Sequence, residues 1–198
     1  MHNDETFFIT GFPGFIANRL VQRLAESTEN LILLVQPALL DRAEEEVARI
    51  SNKALRSPGD FRIVQGDISL PNLGLSDSDL ETVRAQTTRV FHLAAVYDLA
   101  VARDLAMKIN FEGTRNLKEL ARTLPRLRHL HHVSTCYVAG KREGVILETE
   151  LRHEAGFRNF YEESKYLSEI EIADLKNELP VTIHRPSVVC GDSRTGET

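Results

Sequence analysis

Little in this 198-residue chain points to a nucleic acid, a membrane or an oxidising compartment. It holds 24 lysines and arginines against 29 acids, for a formal net charge of −5. With no basic block in the sequence, that balance argues against a nucleic-acid surface. No apolar run approaches the ~20 residues that span a bilayer, so no integral membrane segment is expected. The N-terminus lacks the basic-then-apolar order of a signal peptide. Cysteine is scarce. Cys136 and Cys190 are the only two, and each falls in a predicted strand or at its end. Buried free thiols are therefore expected, not a disulfide, which fits a cytoplasmic protein. Internal repeats, low-complexity tracts and linkers are also missing, so the chain reads as one domain with a real core, or the larger part of one.

What is present is organised around Thr10-Gly11-Phe12-Pro13-Gly14-Phe15-Ile16-Ala17. The apolar run Phe7-Phe8-Ile9 precedes it as a short buried strand, and residues 18–24 follow with helical apolar spacing. Strand, glycine turn and helix together are the context of a dinucleotide site. Gly11 allows the tight turn, Gly14 lets the backbone approach a pyrophosphate, and Ala17 packs helix on strand. The N–H groups of the new helix would face the phosphates. An ordinary strand–helix turn of small residues is the bland alternative.

Strand-like and helical segments then alternate. Strands are predicted at 31–35, 61–68 with its exit, 89–95, 130–134 and 181–184. Helices are predicted at 41–55, from a Ser76 or Asp77 cap through Arg84, over about 101–123, and over 160–176. Pro71 to Gly74 reads as a loop. Such alternation implies an α/β fold, a doubly wound parallel sheet (Rossmann fold) with helices on both faces. Ligands then sit at the carboxyl ends of the strands. Gln36, Asp67, Ala94, Ala95, Ser134, Thr135, Pro186 and Ser187 all fall there.

A second constellation is Tyr161-Glu162-Glu163-Ser164-Lys165. Four residues apart on a helix, Tyr161 and Lys165 share one face. A phenol with its ordinary pKa near ~10 is a poor acid–base group at neutral pH. A nearby ammonium lowers that value, and a hydroxyl from Thr135 or Ser134 would polarise a carbonyl. The trio suits proton transfer beside a hydride transfer. Tyr-x-x-x-Lys alone arises by chance in many surface helices. Its place some 26 residues after Ser134-Thr135, in a chain with the glycine turn, is what gives it weight. His129, His131 and His132 alternate across a strand, so a metal site is not expected.

With these pieces in family order over nearly the whole chain, the sequence resembles an extended short-chain dehydrogenase/reductase. The matching motifs are Thr10-Gly11-x-x-Gly14-x-x-Ala17, Gly66-Asp67-Ile68, His92-Leu93-Ala94-Ala95, Asn110-Phe111-Glu112-Gly113-Thr114, Val133-Ser134-Thr135, Tyr161-x-x-x-Lys165 and Arg185-Pro186-Ser187. Residues 10–16, 92–98 and 184–193 are closest to the thioester-reductase or "male sterility" branch, which includes fatty acyl-CoA reductases. The resemblance implies catalysis by Thr135, Tyr161 and Lys165. It implies cofactor contacts from Thr10, Gly11, Phe12, Pro13, Gly14, Phe15, Ile16, Ala94, Ala95, Ser134, Tyr161, Lys165, Pro186 and Ser187. Asp67 would bond the adenine amino group with Ile68 beside it, and Asn110 would hold the lysine's water or the backbone of the active-site helix. Asp67 as a plain turn residue and Asn110 as a helix-surface group are the bland readings.

Two departures qualify this. Gln36 ends the second strand where an acid would favour NAD and an arginine NADP. Arg42, opening the next helix, can reach a phosphate but is more often a solvated side chain. With no acid there, NADP(H) is favoured and NAD(H) is possible. The sequence also ends just past the sixth strand, so residues 1–198 are expected to form the NAD(P)-binding domain without the substrate region of extended members, either as a fragment of a longer protein or as a reduced protein of doubtful activity. The activities implied are reduction of an acyl thioester, a small-molecule substrate, to an aldehyde; sugar-nucleotide epimerisation or dehydration with recycled cofactor; or dinucleotide binding without catalysis. An oligomer is compatible with all three.

Overall fold

A computed structural model describes residues 5–26 and 30–196. Six strands form one parallel sheet: β1 (Thr6–Thr10), β2 (Asn30–Val35), β3 (Phe61–Gln65), β4 (Arg89–His92), β5 (His129–Val133) and β6 (Val181–His184). Their order is β3-β2-β1-β4-β5-β6. Phe8 stands opposite Ile32 on one side and Val90 on the other, which fixes the central register. The chain winds outward in both directions from β1, so the strand order reverses between β1 and β4. A crevice must open there, at the carboxyl ends.

Helices α1 (Phe15–Leu24), α2 (Leu40–Ala54), α3 (Asp77–Gln86), α4 (Arg103–Ala106), α5 (Gly113–Arg122) and α6 (Phe160–Leu175) connect the strands. Alternate side chains of each strand point to opposite faces. Phe7, Ile9 and Leu33 pack with Val21 of α1 and Val47 and Ile50 of α2. Phe8, Ile32 and Val90 pack on the other face with Leu117 and Leu120 of α5 and Ile172 of α6. The continuous apolar run at Leu31–Val35 is thus explained, because both of its faces are covered.

Several local expectations are refined. Ser76 does cap α3, its hydroxyl accepting from the Asp79 N–H at 3.2 Å. Strand β4 stops at His92, short of the predicted Ala95. The Thr10 hydroxyl accepts the N–H groups of Leu93 and Ala94 at 3.2 and 3.1 Å, so those residues leave the ladder. The long helix predicted over about 101–123 is interrupted by a π-helical segment, Met107–Glu112, between α4 and α5. Pro71–Gly74 is an irregular turn, in line with the expected loop, with Asn72, Leu73 and Gly74 at positive φ. Both cysteines are free but exposed, not buried. Cys136 opens the turn beyond β5, and Cys190 lies past β6, so neither faces the core.

Candidate active site

The glycine turn is built by contacts that leave no room for a side chain. The Gly14 N–H donates to the Gly11 carbonyl at 2.8 Å. Gly11 has φ +89°, and a Cβ there would lie 2.7 Å from the Ala94 nitrogen. A Cβ on Gly14 would lie 2.8 Å from the Gly11 oxygen. Helix α1 starts at once, with Gly14 as its cap, no capping side chain and no acid in its first turn. Its first N–H groups therefore remain available to an anion.

Two adjoining hollows open at this end of the sheet, of about 610 and about 640 Å³. They share Gly11, Gly14, Arg42, Ala94, Ala95 and Tyr97. The first is further lined by Phe15, Ile16, Ser134, Thr135, Tyr161, Lys165, Pro186 and Ser187. Phe12, Pro13, Gln36 and Ile68 line the second. Seventeen of the twenty candidate catalytic and cofactor residues thus stand around one crevice, although they are spread from position 11 to position 187.

Three of the candidates do not line it. Thr10 is fully buried and spends its hydroxyl between His92 and the loop after β4. The Asp67 carboxylate accepts from the Ser69 N–H at 2.8 Å, the turn role that was its bland reading. Asn110 is buried, with Oδ1 accepting from the Val96 N–H and Nδ2 donating to the Val96 carbonyl and the Ser164 hydroxyl. It reaches the active-site helix through a side chain and not through its backbone.

Helix α6 presents the catalytic candidates. Asn159 caps it, its side chain accepting from the Glu162 N–H at 2.9 Å. Tyr161 therefore sits in the first turn, with Lys165 one turn deeper. Lys165 is 4% exposed and donates from Nζ to the Val133 carbonyl at 2.9 Å. Burial lowers its pKa to about 8, while the carboxylate of Glu169 works in the opposite direction. Burial raises the Tyr161 phenol above its ordinary value, and a hydrogen bond with the Thr135 side chain partly offsets this. The expected lowering of the phenol by Lys165 is not what this geometry produces: burial dominates, and the Lys165 ammonium is directed to the Val133 carbonyl. Thr135 is itself buried, and its hydroxyl accepts from the Tyr137 N–H at 3.2 Å.

Glu169 was missed in the sequence. It is fully buried and accepts from Nε of Arg185 at 2.9 Å and from Nη2 at 2.5 Å. The Ser134 hydroxyl donates to its other oxygen. One carboxylate thereby ties the exits of β5 and β6 to α6, next to Lys165. The available signal was an acid four residues after Lys165, on the same helix face, in a chain with Arg185 before Pro186. Tyr97 and residues 188–191 also line the crevice and had been given no role.

The reversed strand order, the glycine turn and the Thr-Tyr-Lys wall define a nucleotide-binding domain of the short-chain dehydrogenase/reductase type. The chain belongs to the male sterility protein family, an NAD-binding family whose model matches residues 9–198. Fatty acyl-CoA reductase wat of Drosophila melanogaster is 27% identical, covering 95% of this chain and 43% of that protein. Fatty acyl-CoA reductase 1 of Arabidopsis thaliana is 32% identical, over 73% of this chain and 34% of that protein. The terminal R domain of the myxalamid PKS-NRPS pathway has a similar crystal structure, with a TM-score of 0.85 and 28% identity. It covers 98% of this chain and 51% of that one. The chain thus spans less than half the length of these two curated relatives. Among the described residues no helix is long and apolar enough to cross a membrane.

Proposed function

We propose that this chain is the nucleotide-binding part of a cytoplasmic, NAD(P)H-dependent oxidoreductase that reduces an acyl thioester to an aldehyde, with NADPH preferred. The observation that carries the reading is the meeting of Thr135, Tyr161 and Lys165 on the wall of the crevice that opens from the glycine turn. The names of the reductase relatives support the thioester as substrate.

The site fits a dinucleotide, because the two glycines keep clear a path that a Cβ would close and α1 offers uncapped N–H groups. Backbone N–H groups of Phe15 and Ile16 would hold the pyrophosphate. Gln36 and Arg42 would face the adenosine ribose, where Arg42 would pair a 2′-phosphate. Ile68 would border the adenine, Ala94 and Ala95 the middle of the molecule, and Pro186 and Ser187 the nicotinamide. When bound, the nicotinamide supplies the hydride.

The chain's own residues do the rest. Thr135 and Tyr161 hydrogen-bond the oxygen of the thioester carbonyl as it becomes an oxyanion. Tyr161 carries its proton at neutral pH, because burial favours the neutral phenol. It acts as an acid at that oxygen. Collapse of the tetrahedral adduct returns the oxygen's proton to Tyr161, re-forms the carbonyl and breaks the C–S bond; the departing thiolate takes a proton from solvent, so the aldehyde and a thiol leave while one dinucleotide is oxidised. Lys165 orients the ribose and supplies positive charge beside the anionic cofactor.

The test is to incubate the protein with NADPH and a long-chain acyl-CoA. Aldehyde, free coenzyme A thiol and oxidised NADPH are expected in equal amounts. Conversion of a UDP-sugar with no net oxidation of cofactor would overturn the proposal.

A further inference from the structure

We propose that His92 is a positioning residue, which as the neutral Nε2–H imidazole locks the loop after β4 to the π-helical segment behind the active-site helix. The inference rests on the reading above in one respect, that Ala94 and Ala95 line a dinucleotide site.

His92 is 1% exposed, with Nδ1 2.8 Å from the Thr10 hydroxyl and Nε2 3.1 Å from the Thr114 hydroxyl. Thr114 lies 2.6 Å from the main-chain carbonyl of Asn110, which only accepts. The single Thr114 proton therefore goes to Asn110. Thr114 must then accept from His92, and Nε2 carries the imidazole proton. At the other end the Thr10 oxygen already accepts the N–H groups of Leu93 and Ala94. Its two lone pairs are thereby used. A proton on Nδ1 would put a third donor against the same oxygen. The Thr10 hydroxyl must instead donate to a bare Nδ1. Both ends demand the same tautomer, and neither tolerates the imidazolium.

The chain of bonds has a direction and a destination. It runs from the N–H groups of Leu93 and Ala94 through Thr10, His92 and Thr114 to the carbonyl of Asn110. From the Asn110 side chain it continues to Val96 and to Ser164, whose hydroxyl donates to the carbonyl of Tyr161 at 3.0 Å. The loop that walls the crevice and the turn that carries Tyr161 are thus anchored to one π-helical segment. Such segments are rare and gather at functional sites. No apolar residue at 92 can replace this, because the Thr10 hydroxyl would lose the acceptor for its proton and Thr114 the donor to its oxygen.

The test is long-range proton–nitrogen NMR of the native chain, together with titration calorimetry of NADPH. The expected spectrum shows His92 as the Nε2–H tautomer, with shifts constant as pH falls from about 8 to about 5. The Nδ1–H tautomer, or a titration in that range, overturns the assignment even if every variant fails to fold. Thr114→Val removes the acceptor and leaves the His92 N–H unpaired, so the loop after β4 is expected to lose its position and NADPH binding to weaken, by up to about tenfold where the cost of that orphaned donor falls on the bound form. Thr114→Ser keeps the hydroxyl and is expected to restore native affinity. Equal affinity of a folded Thr114→Val protein shows that the chain of bonds positions nothing. A native chain that binds neither dinucleotide fails the functional reading, and the positioning role falls with it, while the NMR result still decides the tautomer.

Discussion

At the scale of single residues, Lys165 sets the pH response. Its folded pKa is about 8, below the ordinary lysine value, because burial disfavours the charge. The ammonium is present below that pH and lost above it, and the dinucleotide proposed to lie beside it is an anion. Affinity for NADPH is therefore expected to be level near neutrality and to fall as pH rises through about 8. Lys165→Met should bind more weakly and lose that alkaline decline, as calorimetric titration across the range would record. A native profile that stays flat into the alkaline range would separate Lys165 from the cofactor. Tyr161→Phe keeps the ring and removes the acid, so turnover should drop ~100-fold or more with cofactor affinity largely intact. Near-native turnover by that variant would make Tyr161 a structural residue. Gly14→Val has a sharper expectation than sequence alone provides. Its Cβ would meet the Gly11 carbonyl, so both stability and dinucleotide affinity should fall. Stability would be followed by thermal melting. These functional residues were legible because turns and helix faces impose fixed spacings. The roles of Thr10, Asp67 and Asn110 were not, because which partner claims a hydroxyl or a carboxylate is decided by strands distant in sequence.

At the scale of elements, α6 is held to the sheet by a buried charge. Glu169 and Arg185 are desolvated together, which is costly unless every bond is made, and here the carboxylate is met by a guanidinium and a hydroxyl. Removing one partner strands the other. Glu169→Leu is expected to cost about 3–5 kcal/mol in denaturant unfolding, and the double change Glu169→Leu with Arg185→Met much less. An equal loss in single and double variants would show that packing, and not the pair, is what matters there. The elements themselves were largely evident in the sequence. Apolar runs marked all six strands, and Ala43, Val47 and Ile50 marked the inner face of α2, where all three are buried. The end of β4 was not evident, because the Thr10 hydroxyl that terminates the ladder lies on another strand. The π-helical segment was hidden as well, since its composition is that of an ordinary helix.

At the scale of the whole molecule, the doubly wound sheet exists to present one crevice. Both hollows lie at the carboxyl edge, and the residues that wall them come from every strand exit. The topology was readable from the alternation of strands and helices with the glycine turn. The preference between dinucleotides is less constrained by sequence, because it rests on whether Arg42 reaches across the second hollow. Gln36→Arg is expected to widen the preference for NADPH by adding a planar phosphate donor, read as the ratio of the two dissociation constants.

The central claim is that the crevice holds a nicotinamide dinucleotide. Calorimetric titration of the folded chain with NADPH, and separately with NADH, tests it most directly. Saturable binding at one site per chain, tighter for NADPH and weakened in Gly14→Val, is the result expected. A folded chain that takes up neither dinucleotide would contradict the account.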